Sequence, residues 1–319
     1  MDIVPLLFVE SVVRRLPHGF HDRIKQISGV WGHFKEDYAK DRNIVHLTYC
    51  YSLFAWKIRY RLEGWKHMEK RTLCPEVLRE ISKSVTDFQF HKYREGMVHG
   101  WKFINPDNAL LKALLRLAAP NKALIMTKSL GYPRPVQDWY VKMLKRCEHL
   151  FKYFTSVRLD SIEHEWKLLK EMVSAGTLRS VFIDNVVPKS MSKLLDEQFW
   201  VDYFFSQSCE RLNAKFEDTG VFFGVIDQWR QMDPRTVAAY KVFSGIQASS
   251  KDLVNVNMKA VNVDSVEEGI LQVMKTKVYW HITTLYQIDH PVDESCRVYV
   301  VFLQDESPLV QGNCVLFFP

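Results

Sequence analysis

Apolar positions near the start of the chain recur at the spacing of a helix face. In residues 4–16 they lie three and four residues apart, which brings them to one side of an amphipathic helix. Ile24 and Ile27 can share one face of a second short helix, and Ser28 can cap a third. The pattern predicts three short helices with one contiguous apolar surface within residues 1–42.

Further along the chain, short β-branched and aromatic runs alternate with helical patterns. The predicted strands are Val85–Phe90, Ala123–Thr127, Thr155–Leu159, Arg179–Ile183, Arg211–Phe216 and Lys241–Ile246. The predicted helices are Asn108–Ala118, Val136–Phe151, Glu163–Ala175, Ser190–Phe205 and Val221–Gln231. The alternation favours a curved solenoid of the leucine-rich type, although the consensus of that repeat is missing. An ordinary α/β sheet with parallel strands would give the same alternation.

The last part of the chain changes character again. Its β-branched and aromatic runs predict strands at Val278–Thr283, Arg297–Leu303 and Asn313–Phe318, which could form a small sheet over the open end of a solenoid. The sequence therefore predicts an α/β chain in four parts. These are a three-helix module in residues 1–42, an aromatic and basic connecting segment in 43–80, a degenerate leucine-rich-repeat-like strand–helix domain in 81–276, and a C-terminal β cap in 277–319.

Composition adds limits on compartment and partners. With 47% apolar and 13% aromatic residues in 319, the chain can bury a substantial core. The net charge of +6 is scattered, and the six cysteines lie far apart without a C-x-x-C pair, which is typical of free thiols in a reducing compartment. Asp2 and Glu10 argue against a signal peptide, and no run of about eighteen apolar residues could span a bilayer. We expect a cytoplasmic or nuclear protein with no membrane partner.

Sequence patterns of catalysis and metal binding are absent from the chain. It contains no phosphate-binding G-x-x-x-x-G-K-S/T, no G-x-S-x-G turn and no H-E-x-x-H helix. His164-Glu165 lacks the second histidine of a zinc helix, and His18, His21 and His33 fit surface or capping roles better than a metal site. The sequence therefore predicts no enzyme activity, no cofactor and no metal.

Two short motifs bound the first forty residues. The chain opens with Met1-Asp2-Ile3-Val4-Pro5, and Ile27-Ser28 is followed by Trp31. With a long divergent region after them, these motifs resemble the large nematode family of F-box proteins. A looser likeness to that family lies in Phe222–Pro234 and in Ile288–Pro291.

The resemblance implies an adaptor of a ubiquitin ligase. An F-box docks on Skp1, and through Skp1 on a cullin, while the rest of the chain binds a protein substrate whose identity the sequence does not specify. On the family pattern Trp31 belongs to the F-box core. The residues expected to contact Skp1, or to support that contact directly, are Pro5, Leu6, Phe8, Val9, Val12, Val13, Leu16, Ile24 and Ile27.

Two other functions are open at this point. An F-box-derived scaffold that no longer binds Skp1 would share the same sequence features. Nucleic-acid binding would use a basic stretch in which Trp56, Tyr60 and Trp65 could stack on bases. Its phosphate-binding residues would be Lys57, Arg59, Arg61, Lys66, Lys70 and Arg71. The competing interpretation of this stretch places its aromatic residues in the core and its cations on a hydrated surface.

Overall fold

The computed structural model describes residues 43–52, 55–91, 100–126, 145–278, 282–303 and 314–319. The chain divides into two compact units, with the boundary between Ser156 and Val157. Each unit contains both strands and helices. The predicted three-helix segment, residues 1–42, lies outside the described residues.

Two long antiparallel strands open the described part of the first unit. β1 (Ile44–Ser52) pairs antiparallel with β2 (Ala55–Glu63) and parallel with β3 (Asp87–His91). The short β4 (Lys102–Ile104) pairs antiparallel with β2, and β5 (Asn121–Met126) pairs parallel with β3. The helices of this unit are α1 (Pro75–Ser82), α2 (Ala109–Arg116) and the helical residues 145–151, called α3.

Aromatic side chains on alternate strand positions form the core of the first unit. Leu47 of β1 and Phe90 of β3 are fully buried and lie in register. The Phe90 ring meets Phe151 and Phe154 edge-on, with centroid distances of 6.4 and 5.8 Å. Burying one such side chain contributes about 1.5–3 kcal/mol. We call the face that carries these rings the inner face; His46 and Thr48, on the other face of β1, are also buried.

The second unit alternates strands with helices and then ends in antiparallel strands. Its strands are β6 (Ser156–Leu159), β7 (Ser180–Val187), β8 (Arg211–Phe216), β9 (Lys241–Ile246), β10 (Lys259–Val261), β11 (Ile282–Asp289), β12 (Arg297–Leu303) and β13 (Cys314–Phe318). Its helices are α4 (Ile162–Ser174), α5 (Glu197–Phe205), α6 (Gly220–Gln231), α7 (Ser250–Asn255) and α8 (Glu268–Val278), with short 3-10 turns at Lys189–Lys193, Pro234–Thr236 and Val263–Ser265. β8 pairs parallel with β7 and β9, and β13 pairs antiparallel with β9 and β12.

β9 and β13 form the centre of the second unit, and every residue of both strands is buried. On one face, Phe317 of β13 belongs to an apolar cluster with Met274 of α8. On the other face, the Phe204 ring of α5 lies 6.0 Å from that of Phe243 and 5.3 Å from that of Phe318. Helices therefore cover both faces of these strands, which explains their nearly continuous apolar sequence.

Gly245 marks an irregular point in β9. Its φ is 93°, and it lies where the pairing between β9 and β13 shifts by one residue, which is a β-bulge. A Cβ atom at this position would overlap the backbone carbonyl of Ala214 on β8 and would lie 2.9 Å from the Lys215 amide nitrogen. Only glycine allows the two strands to approach this closely.

The first residue of β9 is a buried lysine. Lys241 is 1% exposed, and its ammonium donates hydrogen bonds to the carbonyls of Phe204, Ser206 and Cys209 at 2.8, 2.7 and 2.7 Å. Phe204 lies in the last turn of α5, so the positive charge meets the negative end of the helix dipole. The first unit has a similar contact, because the buried Lys122 donates to the Leu115 carbonyl of α2 at 2.7 Å.

The strand order corrects the predicted fold. Within the described residues, the strands of the first unit lie in the order β5-β3-β1-β2-β4, and those of the second unit in the order β10-β11-β12-β13-β9-β8-β7-β6. The predicted leucine-rich-repeat-like solenoid with a separate β cap is wrong, because each unit has a mixed sheet with parallel and antiparallel pairs. β1 and β2, from the predicted connector, belong to the sheet of the first unit, and β11, β12 and β13, from the predicted cap, continue the sheet of the second unit. The strand predicted at Val278–Thr283 is also misplaced, because Val278 ends α8 and β11 begins at Ile282.

Candidate interaction site

β2 divides its side chains between the two faces of the sheet. Its buried residues include Ile58, Tyr60 and Leu62. Lys57, Arg59 and Arg61 alternate with them, so they lie on the opposite face, because successive strand residues point to opposite sides. We call this side of β2 the polar face.

An exposed aromatic side chain lies beside two of these cations. Phe103 of β4 is in register with Arg59, and 53% of its surface is exposed. The Lys57 ammonium lies 5.5 Å from the centroid of the Phe103 ring, and the Arg59 guanidinium carbon lies 4.9 Å from it. Both distances fit cation–π contacts. Lys57, Arg59 and Phe103 together are called the cationic patch.

The two positive charges of the cationic patch have no carboxylate partner among the described residues. Within the same residues, the buried Nε of Arg59 has no hydrogen-bond partner. Arg61 differs, because its guanidinium lies 3.7 Å from the Glu63 carboxylate, which also contacts His46 Nε2 at 3.1 Å. A buried donor without a partner costs free energy unless a ligand or water supplies an acceptor.

The other predicted phosphate-binding residues form a separate group. Lys66, Lys70 and Arg71 are exposed in the turn after β2. Lys102 of β4 lies on the inner side of the sheet, in register with Tyr60, and its ammonium donates to the carbonyls of Glu69, at 2.7 Å, and Arg71. The turn is therefore held on the side of β4 opposite to Phe103, so the six basic residues do not form one surface.

Two aromatic residues of the basic stretch belong to the core. The Tyr60 hydroxyl accepts a hydrogen bond from the Leu73 amide at 2.8 Å, and Trp65 Nε1 donates to the Ser84 hydroxyl at 3.0 Å. Both side chains are buried, which confirms the interpretation of these two as core residues. Neither can stack on a base unless the first unit unpacks. The side chain of Trp56 lies outside the described part of the structure.

The predicted Skp1-binding residues, from Pro5 to Ile27, and Trp31 all lie outside the described residues. Phe103 was missed by the sequence analysis. The Lys102-Phe103-Ile104 triplet is too short to show an alternation, and its place beside β2 depends on a long-range pairing. The one available signal was an aromatic residue in a polar neighbourhood.

The turn after β11 contacts α6. The His290 ring packs edge-on against Trp229, with a centroid distance of 4.8 Å, and its Nε2 lies 2.9 Å from the Trp229 carbonyl oxygen. The Val292 amide donates to His290 Nδ1 at 3.2 Å, so the hydrogen-bond pattern assigns the ring proton to Nε2. His290 is buried; its Nε2 joins the turn after β11 to α6, and its Nδ1 holds the ring within that turn.

Asp293 connects the same turn to the 3-10 turn after α6. Its Oδ2 lies 2.7 Å from Arg235 Nη2, and its Oδ1 accepts from the Ser295 hydroxyl at 2.6 Å. The hydrogen bond from the Ser295 hydroxyl is the largest cause and that from Arg235 the next; together they lower the pKa of Asp293 from its ordinary 3.8 to about 2. The charged carboxylate therefore stabilises the folded state.

Acidification should weaken this connection in a defined pH range. The folded pKa lies below the unfolded one, so the stabilisation is fully present above about pH 4 and is lost as the pH falls through about 2. We expect Asp293→Asn to remove this part of the pH dependence. Urea unfolding of both proteins across that range measures it. Asp264→Asn, at an exposed residue of the second unit, is the control, and an equal change in that variant would contradict the assignment.

The described cysteines are free thiols. Burial raises the pKa of Cys147 and Cys209 to about 11 and that of Cys314 to about 12, so all three stay protonated and unreactive at neutral pH. The prediction of buried free thiols is confirmed for these three residues.

Nowhere in the described residues are three or more His, Cys, Asp or Glu side chains grouped so as to hold a metal ion. In the same part of the chain, every helix is too short or too polar to cross a membrane.

The chain was compared with known proteins by sequence and by structure. No protein-family model, no curated protein and no solved structure matches it.

Proposed function

We propose that this protein is a non-catalytic substrate-recognition subunit of a Skp1–cullin–F-box type ubiquitin ligase. Residues 1–42 bind a Skp1-like adaptor and, through it, a cullin, while the folded region binds a protein substrate. The subunit acts in the cytoplasm or nucleus. It does no chemistry itself but raises the concentration of substrate near the ubiquitin carrier enzyme.

The cationic patch is the observation that carries the recognition role. Phe103 is a large aromatic side chain, half exposed beside two cations that have no carboxylate partner in the described part of the chain. This combination has the composition of an interaction surface. Attachment to Skp1 is supported by the opening motif Met1–Pro5 and the closing motif Ile27-Ser28 with Trp31.

The buried ionisable groups also support a role without catalysis. Lys122, Lys241 and His290 bind backbone groups of their own unit, so each is engaged in holding the fold. A catalytic acid or base must instead reach a proton of the substrate.

Nucleic-acid binding is the second candidate, and the cations of β2 favour it. The separation of Lys57 and Arg59 from the turn cations counts against it, since binders of single strands combine a continuous basic groove with exposed stacking residues.

Coexpression with a Skp1-like adaptor, followed by size-exclusion chromatography, tests the proposal. We expect the full chain to elute with the adaptor. The variant Pro5→Ala/Phe8→Ala/Leu16→Ala should elute alone, because it removes apolar anchors predicted to supply much of the affinity. The control is Lys57→Gln/Arg59→Gln/Phe103→Ala, which should still elute with the adaptor. If the unmodified chain elutes alone, the ligase role is wrong, and a scaffold without Skp1 remains.

A further inference from the structure

The cationic patch combines charge and exposed aromatic surface in one place. Lys57 and Arg59 have no carboxylate partner among the described residues, and the buried Arg59 Nε lacks an acceptor. Phe103 lies on β4, the last strand in the sheet order, and remains 53% exposed. Two positive charges and one exposed ring therefore lie together on a surface held by strand pairing.

We propose that the cationic patch binds an extended acidic segment of a protein partner. Two carboxylates of that segment pair with Lys57 and Arg59, and an apolar side chain next to them packs on Phe103. Arginine suits this role, because its planar guanidinium can bind a carboxylate through two parallel hydrogen bonds. Only the identification of this segment as the substrate rests on the proposed function.

The spacing of the two cations selects an extended ligand. Lys57 and Arg59 are alternate residues of one strand, so their side chains emerge about 7 Å apart. An extended peptide presents alternate side chains at the same interval. Acidic residues at alternate positions of the ligand therefore face both cations, whereas acidic residues side by side in sequence would point to opposite sides.

Charge distribution favours an acidic polypeptide over nucleic acid. The Glu63 carboxylate lies on the same polar face, near Arg61 and His46, so it repels any long anionic chain that runs past the patch and leaves room only for a short acidic segment. Tyr60 and Trp65 are buried, so the described part of the basic stretch offers no series of stacking rings beyond Phe103. A short acidic segment needs only two cations and one apolar contact.

Fluorescence anisotropy with the full chain tests the inference. The probe is a short fluorescein-labelled alternating peptide with one Glu-Thr-Glu sequence next to a Leu. Two comparison peptides have Gln in place of both Glu residues, or the two Glu residues adjacent in sequence. We expect the alternating peptide to bind most tightly and the Gln peptide not to bind.

Single variants locate the binding site. Arg59→Gln and Phe103→Ala should each weaken binding by about fivefold, the upper end for one partly exposed contact. Lys57→Gln, at an exposed side chain, keeps the test valid if Arg59→Gln fails to fold. The matched control is Lys70→Gln. Lys70 is an exposed cation between the two turn residues whose carbonyls accept from Lys102, and the affinity of this variant for the peptide should not change.

Three results would overturn the inference. The first is the absence of binding by the alternating peptide. The second is equal weakening by Lys70→Gln and Arg59→Gln. The third is tighter binding of a labelled oligo-uridylate of the same charge than of the alternating peptide, when all the lysine and arginine variants bind the oligo-uridylate more weakly by a similar factor. Peptide binding needs no adaptor, so its failure is distinguishable from a failure to elute with Skp1.

Discussion

Gly245→Ala should lower the free energy of unfolding by about 3 kcal/mol or more. The residue has a φ of 93°, a conformation that costs an L-residue about 1–2 kcal/mol by itself. The added Cβ would also overlap the Ala214 carbonyl, a backbone atom that cannot turn aside. β8 and β9 would have to separate at the centre of the second unit. Urea unfolding measures the effect as a lower midpoint with an unchanged slope.

Gly176→Ala is the matched control for this prediction. Gly176 follows α4 with a φ of 69°, but a Cβ atom there would meet nothing within 4 Å. The substitution should therefore cost only the conformational term, about 1 kcal/mol. The difference between the two variants isolates the overlap with β8. Equal losses in both would mean that β8 and β9 adjust freely, contrary to the close approach described above.

Lys241→Met should destabilise the protein by about 3–5 kcal/mol, because a buried carbonyl that loses its donor costs about 1–3 kcal/mol. Methionine fills a similar volume, but it leaves the carbonyls of Phe204, Ser206 and Cys209 without their donor. The end of α5 would also lose the charge that faces its dipole. The midpoint of thermal or urea unfolding reports the loss.

Lys251→Met provides the comparison for the buried lysine. Lys251 is exposed on the short α7, so its replacement should change the stability by no more than about 0.5 kcal/mol. If Lys241→Met is as mild as Lys251→Met, water must reach the three carbonyls and replace the ammonium. The buried lysine would then not be needed to hold α5 against β9.

Local sequence patterns were enough to locate several elements. β8 and β9 have the predicted bounds, Arg211–Phe216 and Lys241–Ile246, and β12 matches Arg297–Leu303. α6, at Gly220–Gln231, begins one residue before its prediction. Such runs are bounded by turn residues and have a clear period, which depends only on neighbouring positions.

Pairing between strands could not be deduced in the same way. β13 lies beside β9 although β10, β11 and β12 separate them in sequence, and nothing within Cys314–Phe318 specifies that neighbour. β1 and β2 were missed because the abundance of aromatic and basic residues obscured an alternation of period two. Val278 carries a strand-like sequence but ends α8, where burial in the apolar cluster overrides its β propensity.

The candidate site was predictable only in part. The sequence singled out Lys57 and Arg59 as charged side chains in an aromatic stretch, but it could not assign them to one face. Their separation from Lys70 and Arg71 depends on Lys102, which holds the turn on the other side of β4. Phe103 joins the patch through strand pairing, which is a long-range property.

The two buried lysines also affect how the protein itself can be modified. A ubiquitin carrier enzyme attaches ubiquitin to an amine that its thioester can reach. Lys241 and Lys122 have their ammonium groups bonded to carbonyls within the core, so neither is an acceptor while its unit is folded. Ubiquitin on either lysine would therefore identify a molecule in which that unit had opened, whereas modification of the folded protein would use lysines at its surface.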